Sequence, residues 1–160
     1  LNFEVLSFTL SDWKSSRTVL QPTHNHQHLL ISGNESSAGL VYMYHIASQL
    51  LIRTFAGHEE RVTSISVSCN GQFFVTTSVD CTVRIWNFLQ SEAVHVLKPH
   101  RGRVVCSLVS SDCNYVITGG TDSCANVSVF ELCVLFHSML PKLTPNSGVV
   151  KFLDKETETN

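Results

Sequence analysis

A block of about 30 residues recurs in this chain 42 positions further on, and that period restricts the fold more than any other feature. The first copy, Gly57–Asn87, opens on Gly-His and closes on Trp-Asn, with three short runs of β-forming residues between them. In the second copy His100 stands for His58, Arg103-Val104 for Arg61-Val62, Asp112 for Asn70, Tyr115 for Phe73 and Asp122 for Asp80. Trp86 corresponds to Phe130 if two residues are inserted near Ala125-Asn126. Upstream, Tyr44 precedes Trp86 by the same 42 residues, and Leu29–Ser32 aligns with Phe74–Thr77 if the Gly33–Gly39 turn takes three extra residues. A period of this length means one supersecondary unit stacked on copies of itself, because one unit alone cannot bury its apolar face.

The unit is built from strands. Val62–Val67, Phe73–Ser78, Val83–Trp86 and Ala93–Leu97 are short runs of β-formers separated by turn residues, among them Asn70-Gly71, a strong hairpin signal. Upstream, Leu1–Leu10, Thr18–Leu20, Leu29–Ser32, Leu40–Ile46 and Leu50–Phe55 read the same way, with Pro22 stopping the second of them. Downstream, Leu132–Met139 is apolar enough for an outer strand. Pro141–Gly148 reads as a loop, Val149–Leu153 as the start of another strand, and Asp154–Asn160 as a polar end. No segment keeps a 3.6-residue apolar period, so almost no helix is expected.

Composition narrows the function classes. Net charge is −2, from 11 basic and 13 acidic residues, so no global field favours nucleic acid. No apolar run approaches the ~20 residues of a membrane helix, and the N-terminus lacks the order of a signal peptide. The six cysteines form no C-x-x-C pair and sit at no zinc spacing with histidine, which fits reduced thiols in an intracellular, cytoplasmic protein. The sequons at Asn34 and Asn126 point mildly the other way.

With the Gly57-His58 opening, the Trp86-Asn87 close and the 42-residue period in view, the chain resembles the WD40 repeat family. Residues 57–87 resemble a well-kept repeat, 99–131 a degenerate one, and about 13–55 a strongly degenerate one. The resemblance implies an all-β fold, a partial β-propeller of about three four-stranded antiparallel blades. It also implies a buried polar network of His58, Ser78, Asp80 and Trp86, in which the serine links the indole N–H to the imidazole and the carboxylate ends the chain of bonds. In the third repeat Gly120 and Phe130 replace the serine and tryptophan, leaving His100 and Asp122. In the first, Trp13, Gly33 and Glu35 stand in place of histidine, serine and aspartate. Those two blades are expected to rely on apolar packing.

Other readings compete at several places. Ser78, His58 and Asp80 are the residue types of a hydrolase triad, but Ser78 lies in a strand and no G-x-S-x-G is present. His24, His26 and His28 would share one face of a strand and could ligate zinc or copper, although Pro22 and Asn25 suggest a loop. Lys98–Arg103 is the most basic stretch. Its arginines, Arg101 and Arg103, are suited to acidic or phosphorylated segments, and the matching loop, Glu59-Glu60-Arg61, carries acid. Tyr42, Tyr44 and the Phe73-Phe74 pair are expected to pack between blades.

The expected organisation is an incomplete propeller over residues 1–140, with repeats at about 13–55, 57–97 and 99–139, and a polar tail over 141–160. Three blades do not close comfortably, so the chain is expected to be a fragment that associates through exposed blade edges. The expected function is a non-catalytic scaffold that binds other proteins or peptides through its loops, with no cofactor, no metal, no nucleic acid and no membrane span. The alternative is a regulatory or targeting segment of a larger protein or enzyme whose catalytic part lies elsewhere.

Overall fold

A computed structural model describes residues 18–33, 38–129 and 150–152. It contains twelve strands in three four-stranded antiparallel sheets, each a meander in chain order. The first sheet holds β1 (Leu20–Pro22), β2 (His28–Ser32), β3 (Leu40–His45) and β4 (Leu51–Ala56). The second holds β5 (Val62–Val67), β6 (Phe73–Ser78), β7 (Val83–Asn87) and β8 (Ala93–Leu97). The third holds β9 (Val104–Val109), β10 (Tyr115–Gly120), β11 (Ala125–Val129) and β12 (Val150–Phe152). Among the described residues there is no helix. The expected strands at Leu1–Leu10 and Leu132–Met139 lie outside the described residues. Val150–Phe152 falls within the stretch expected to be a tail, and it forms the fourth strand of the third sheet by pairing with β11.

The sheets stand side by side as blades, with β5 packed against both β1 and β9. The middle blade is covered on both faces, and this explains the run FFVTTS in β6. All six of its residues are buried, so the strand needs no alternation of apolar and polar positions. Successive side chains then serve opposite interfaces. Phe74 and Trp86 join Leu30, Val41, Met43, Phe55, Val62 and Ile65 between the first and middle blades. Phe73, Val75, Val83 and Ile85 join Val104, Cys113 and Val116 between the middle and third. Trp86 stacks on Phe74, with centroids 6.0 Å apart and planes at 10°, and meets Phe55 edge-on at 5.8 Å. Cutting a fully buried aromatic of this kind to alanine costs about 3–5 kcal/mol. Tyr42 and Tyr44 are half-buried.

Polar side chains also tie neighbouring blades. Thr63 Oγ1–H donates to the Val104 carbonyl at 2.6 Å, and Ser66 Oγ–H to the Ser107 carbonyl at 2.8 Å. On the other side the Val62 N–H donates to the Ala38 carbonyl at 3.0 Å. Among the described residues nothing covers the far face of the third blade. Leu108, Tyr115 and Ile117 lie on it and are exposed, Leu108 to 60%.

Candidate functional site

The connection from β4 to β5 carries Gly57-His58-Glu59-Glu60-Arg61, and the turn from β6 to β7 brings Asp80 and Thr82 beneath it. A chain of hydrogen bonds runs inward from that turn. The Trp86 Nε1–H donates to Thr76 Oγ1 at 2.8 Å, and Thr76 Oγ1–H donates to His58 Nε2 at 2.7 Å. His58 Nδ1–H then donates to Asp80 Oδ2 at 2.8 Å. An indole can only donate and a carboxylate can only accept, so Trp86 donates at one end of the chain and His58 Nδ1–H at the other. With the imidazole neutral and its proton on Nδ1, Nε2 is the acceptor for the Thr76 hydroxyl. Burial pushes its pKa down, and this outweighs the opposing pull of Asp80. For Asp80 burial alone would raise the carboxyl. Hydrogen bonds from Thr82 (Oγ1–H at 2.6 Å, N–H at 2.8 Å) and His58 prevail and hold it below the ordinary range.

Ser78 stands elsewhere in this arrangement. Its hydroxyl donates to the Glu60 carbonyl at 3.0 Å and accepts from the Asp80 N–H at 3.2 Å. Thr76 is the relay that the sequence reading assigned to Ser78, and strand register gives the reason. Trp86 pairs directly with Phe74. Thr76 is the diagonal neighbour within reach of a long side chain, whereas Ser78 is four residues from the pair, roughly 13 Å along the strand. The same bonds separate the three candidate triad residues, because Ser78 is given to Glu60 and His58 Nε2 to Thr76.

The third blade repeats the network with changes. His100 Nδ1–H donates to Asp122 at 2.9 Å, and Thr118 Oγ1 is hydrogen-bonded to His100 Nε2 at 3.0 Å. Asn126 Nδ2 donates to the Pro99 carbonyl at 2.8 Å and lies against the His100 ring. This blade thus has a polar network of its own and does not depend on apolar packing alone. Hydrogen bonds, first of all from the Arg101 N–H, hold the Asp122 carboxyl at about 2. Gly120 also gains a reason. A Cβ there would stand 2.5 Å from His100 Nδ1 and 2.8 Å from Asp122 Oδ1, so no serine fits. Val116 pairs with Ser128 as Phe74 pairs with Trp86. Ser128 therefore occupies the tryptophan position with no insertion, and Phe130 lies outside the described residues. In the first blade Leu29 pairs with Tyr44, which puts apolar Ile31 in the place of Thr76. Gly33, in the serine position, is buried there, while Trp13 and Glu35 lie outside the described residues.

Both networks reach the surface loops. The Glu59 N–H donates to Asp80 Oδ2 at 3.1 Å and the Arg101 N–H to Asp122 Oδ2 at 2.9 Å. Further backbone bonds, Val79 N–H to Arg61 and Thr121 N–H to Arg103, close each loop onto its turn. Glu59, Glu60, Arg101 and Arg103 are exposed and Arg61 is half-buried. His24, His26 and His28 lie across a turn and the start of β2, with the His26 N–H bonded to the Thr23 carbonyl. His28 instead meets the His45 ring edge-on, with centroids 5.4 Å apart. Among the described residues no group of three or more His, Cys, Asp or Glu side chains is placed to hold a metal ion. No helix among them is long and apolar enough to cross a membrane.

A family profile described as "WD domain, G-beta repeat" matches residues 49–87 and 91–127, which run from β4 through β7 and from β8 into β11. Both stretches match the WD40 repeat. The chain's fold is similar to the β-propeller domain of Cps50 (Swd1) from Myceliophteria thermophila, with a TM-score of 0.68 at 12% identity over 83% of this chain and 38% of that one. Among curated proteins, mouse striatin is 28% identical over 134 residues, or 81% of this chain and 16% of striatin. Rat apoptotic protease-activating factor 1 is 33% identical over 81 residues, or 51% of this chain and 6% of that protein. The WD repeat domain-containing protein 83 homolog of Dictyostelium discoideum is 38% identical over 64 residues, or 40% of this chain and 18% of that protein. The chain thus spans less than a fifth of the length of each of these relatives. WD40 propellers typically serve protein–protein interaction, and the family is generally non-catalytic.

Proposed function

We propose that this WD40 segment is a non-catalytic scaffold that holds acidic or phosphorylated segments of partner proteins on the loops at one end of its blades. The observation that carries this reading is the paired anchoring of Glu59 and Arg101, whose backbone N–H groups are fixed by the Asp80 and Asp122 carboxylates while their side chains stay exposed. A loop held before its partner arrives loses less conformational freedom on binding, so a contact there is worth more. Arg101 and Arg103 offer guanidinium forks suited to carboxylate and phosphate oxygens. The acidic loop Glu59-Glu60 beside them rejects segments presented in the wrong register.

The test is binding of matched peptide arrays, acidic, phosphorylated and neutral, by the chain and by its Arg101→Glu, Arg103→Glu double variant. The reading predicts capture of acidic or phosphorylated peptides that falls at least about tenfold in the variant at unchanged thermal midpoint. Equal capture by both proteins would refute it. A second reading, a regulatory or targeting segment of a larger protein, is favoured by the small share of each relative that the chain covers. A catalytic domain in the same reading frame would support that reading.

A further inference from the structure

The turns that follow β5 and β9 bring two thiols together across the boundary between the middle and third blades. Cys69 Sγ lies 3.1 Å from Cys113 Sγ, and the two residues are 44 positions apart. Both turns are held by their own hydrogen bonds. Ser68 Oγ–H donates to the Phe73 carbonyl at 2.7 Å, and the Gly71 N–H to the Ser68 carbonyl at 3.0 Å. In the third blade the Ser110 N–H donates to the Tyr115 carbonyl and the Cys113 N–H to the Ser110 carbonyl, each at 2.9 Å.

The backbone at Cys113 makes its identity notable. Its φ is 60°, and the equivalent position of the middle blade is Gly71 with φ 67°. Glycine takes this left-handed conformation freely and a residue with a Cβ does not, yet here the strained position carries a sulfur aimed at its neighbour. Cys113 is buried among Phe73, Val75 and Val116, whereas Cys69 is exposed. One sulfur is thus open to a reagent and the other waits behind it. The remaining described thiols differ. Cys81 and Cys124 turn to the carbonyls of Val79 and Asp122 within their own turns, whereas Cys69 reaches across the blade boundary to the Ser111 carbonyl at 2.6 Å as well as to Cys113, and Cys106 is exposed on β9.

We propose that Cys69 and Cys113 are a redox-sensitive pair that a small disulfide oxidant converts into an inter-blade disulfide. The Cys69 thiol loses its proton and attacks one sulfur of glutathione disulfide, forming a mixed disulfide and releasing one glutathione thiolate. Cys113 then loses its proton and attacks the Cys69 sulfur, releasing the second thiolate. Two protein thiols are oxidised to one disulfide, one glutathione disulfide is reduced to two thiols, and the two protons go to those thiols. The bond clasps the middle and third blades and restrains the unfolded chain over a long loop.

The experiment exposes the folded chain to glutathione disulfide, quenches it in acid, and counts alkylatable thiols after denaturation by mass spectrometry. The proposal predicts four reactive thiols out of six, no added glutathione, and a thermal midpoint raised by about 5 °C or more over the reduced chain. Cys69→Ser should keep its five thiols, Cys113→Gly should trap one glutathione on Cys69 and keep four, and neither should gain a protein disulfide or a raised midpoint. Cys113→Gly restores the residue found at the matching turn, so its fold is safe, and Cys106→Ser should still lose a pair. Six free thiols in the oxidised parent, a stable glutathione adduct on Cys69 of the parent, or a pair lost from Cys113→Gly would each overturn the proposal.

Discussion

Thr76 is the side chain on which the middle blade's polar network depends, since it alone accepts from the Trp86 indole and donates to His58. Thr76→Val keeps the shape but leaves two buried groups without partners, at a cost of about 2–4 kcal/mol. Ser78→Ala removes bonds to the Glu60 carbonyl and the Asp80 N–H near the surface, at about 1 kcal/mol. Denaturant unfolding of both variants checks the order, and a larger loss from Ser78→Ala would contradict the relay described above. Protonation offers a second check. Burial holds His58 low, so the unfolded chain takes up a proton there before the folded one does. Asp80 and Asp122 are also held low, so the unfolded carboxyls again bind protons first. Both contributions are fully present above about pH 6.5. The first is lost as pH falls below that value, and the second as pH falls through about 4 toward 2. The thermal midpoint should therefore fall from about pH 6.5 down to 3, and a rise between pH 6.5 and 5 would contradict the buried neutral imidazole. The need for a hydroxyl beside Trp86 was legible from the donor-only indole, but which of three successive hydroxyls supplied it depended on hairpin register.

At the scale of elements, the first and middle blades are held together at Gly39 as well as through their aromatic core. A Cβ on Gly39 would run into the His58 backbone carbonyl, which cannot move aside as a flexible side chain would. The neighbouring bond from Val62 N–H to the Ala38 carbonyl needs the same close approach. Gly39→Ala should cost about 1–3 kcal/mol and speed amide exchange in β3 and β5. Unchanged exchange in both strands would show that the contact is dispensable. The strands themselves were readable because β-formers end at turn residues. Val62–Val67 and Phe73–Ser78 have the expected bounds, and Asn70-Gly71 turns the chain between them. The third blade was harder. Matching Phe130 to Trp86 kept an aromatic at that position but required an insertion, whereas backbone pairing puts Ser128 there. Thr118, and Asn126 as more than a sequon, are not legible in the sequence, because their value lies in reaching His100 and spacing does not reveal that reach.

At the scale of the whole molecule, the described residues form three blades side by side, the middle one covered on both faces and the third leaving Leu108, Tyr115 and Ile117 exposed. The two His–Asp pairs do more than support the blades that contain them. Each carboxylate faces inward to an imidazole and outward to the N–H of an exposed loop, so the fold and the proposed binding surface share the same residues. The order of blades follows from the 42-residue period, but this coupling does not, because it depends on one carboxylate reaching both an imidazole and a loop N–H, which sequence spacing does not reveal. Residue-resolved amide hydrogen exchange tests the coupling most directly. Glu59 and Arg101 should exchange slowly although both side chains are exposed, and Asp122→Ala should release Arg101 while leaving Glu59 protected. Rapid exchange at Glu59 and Arg101 in the unmodified chain would contradict the account, because the loops would then not be held by the networks beneath them.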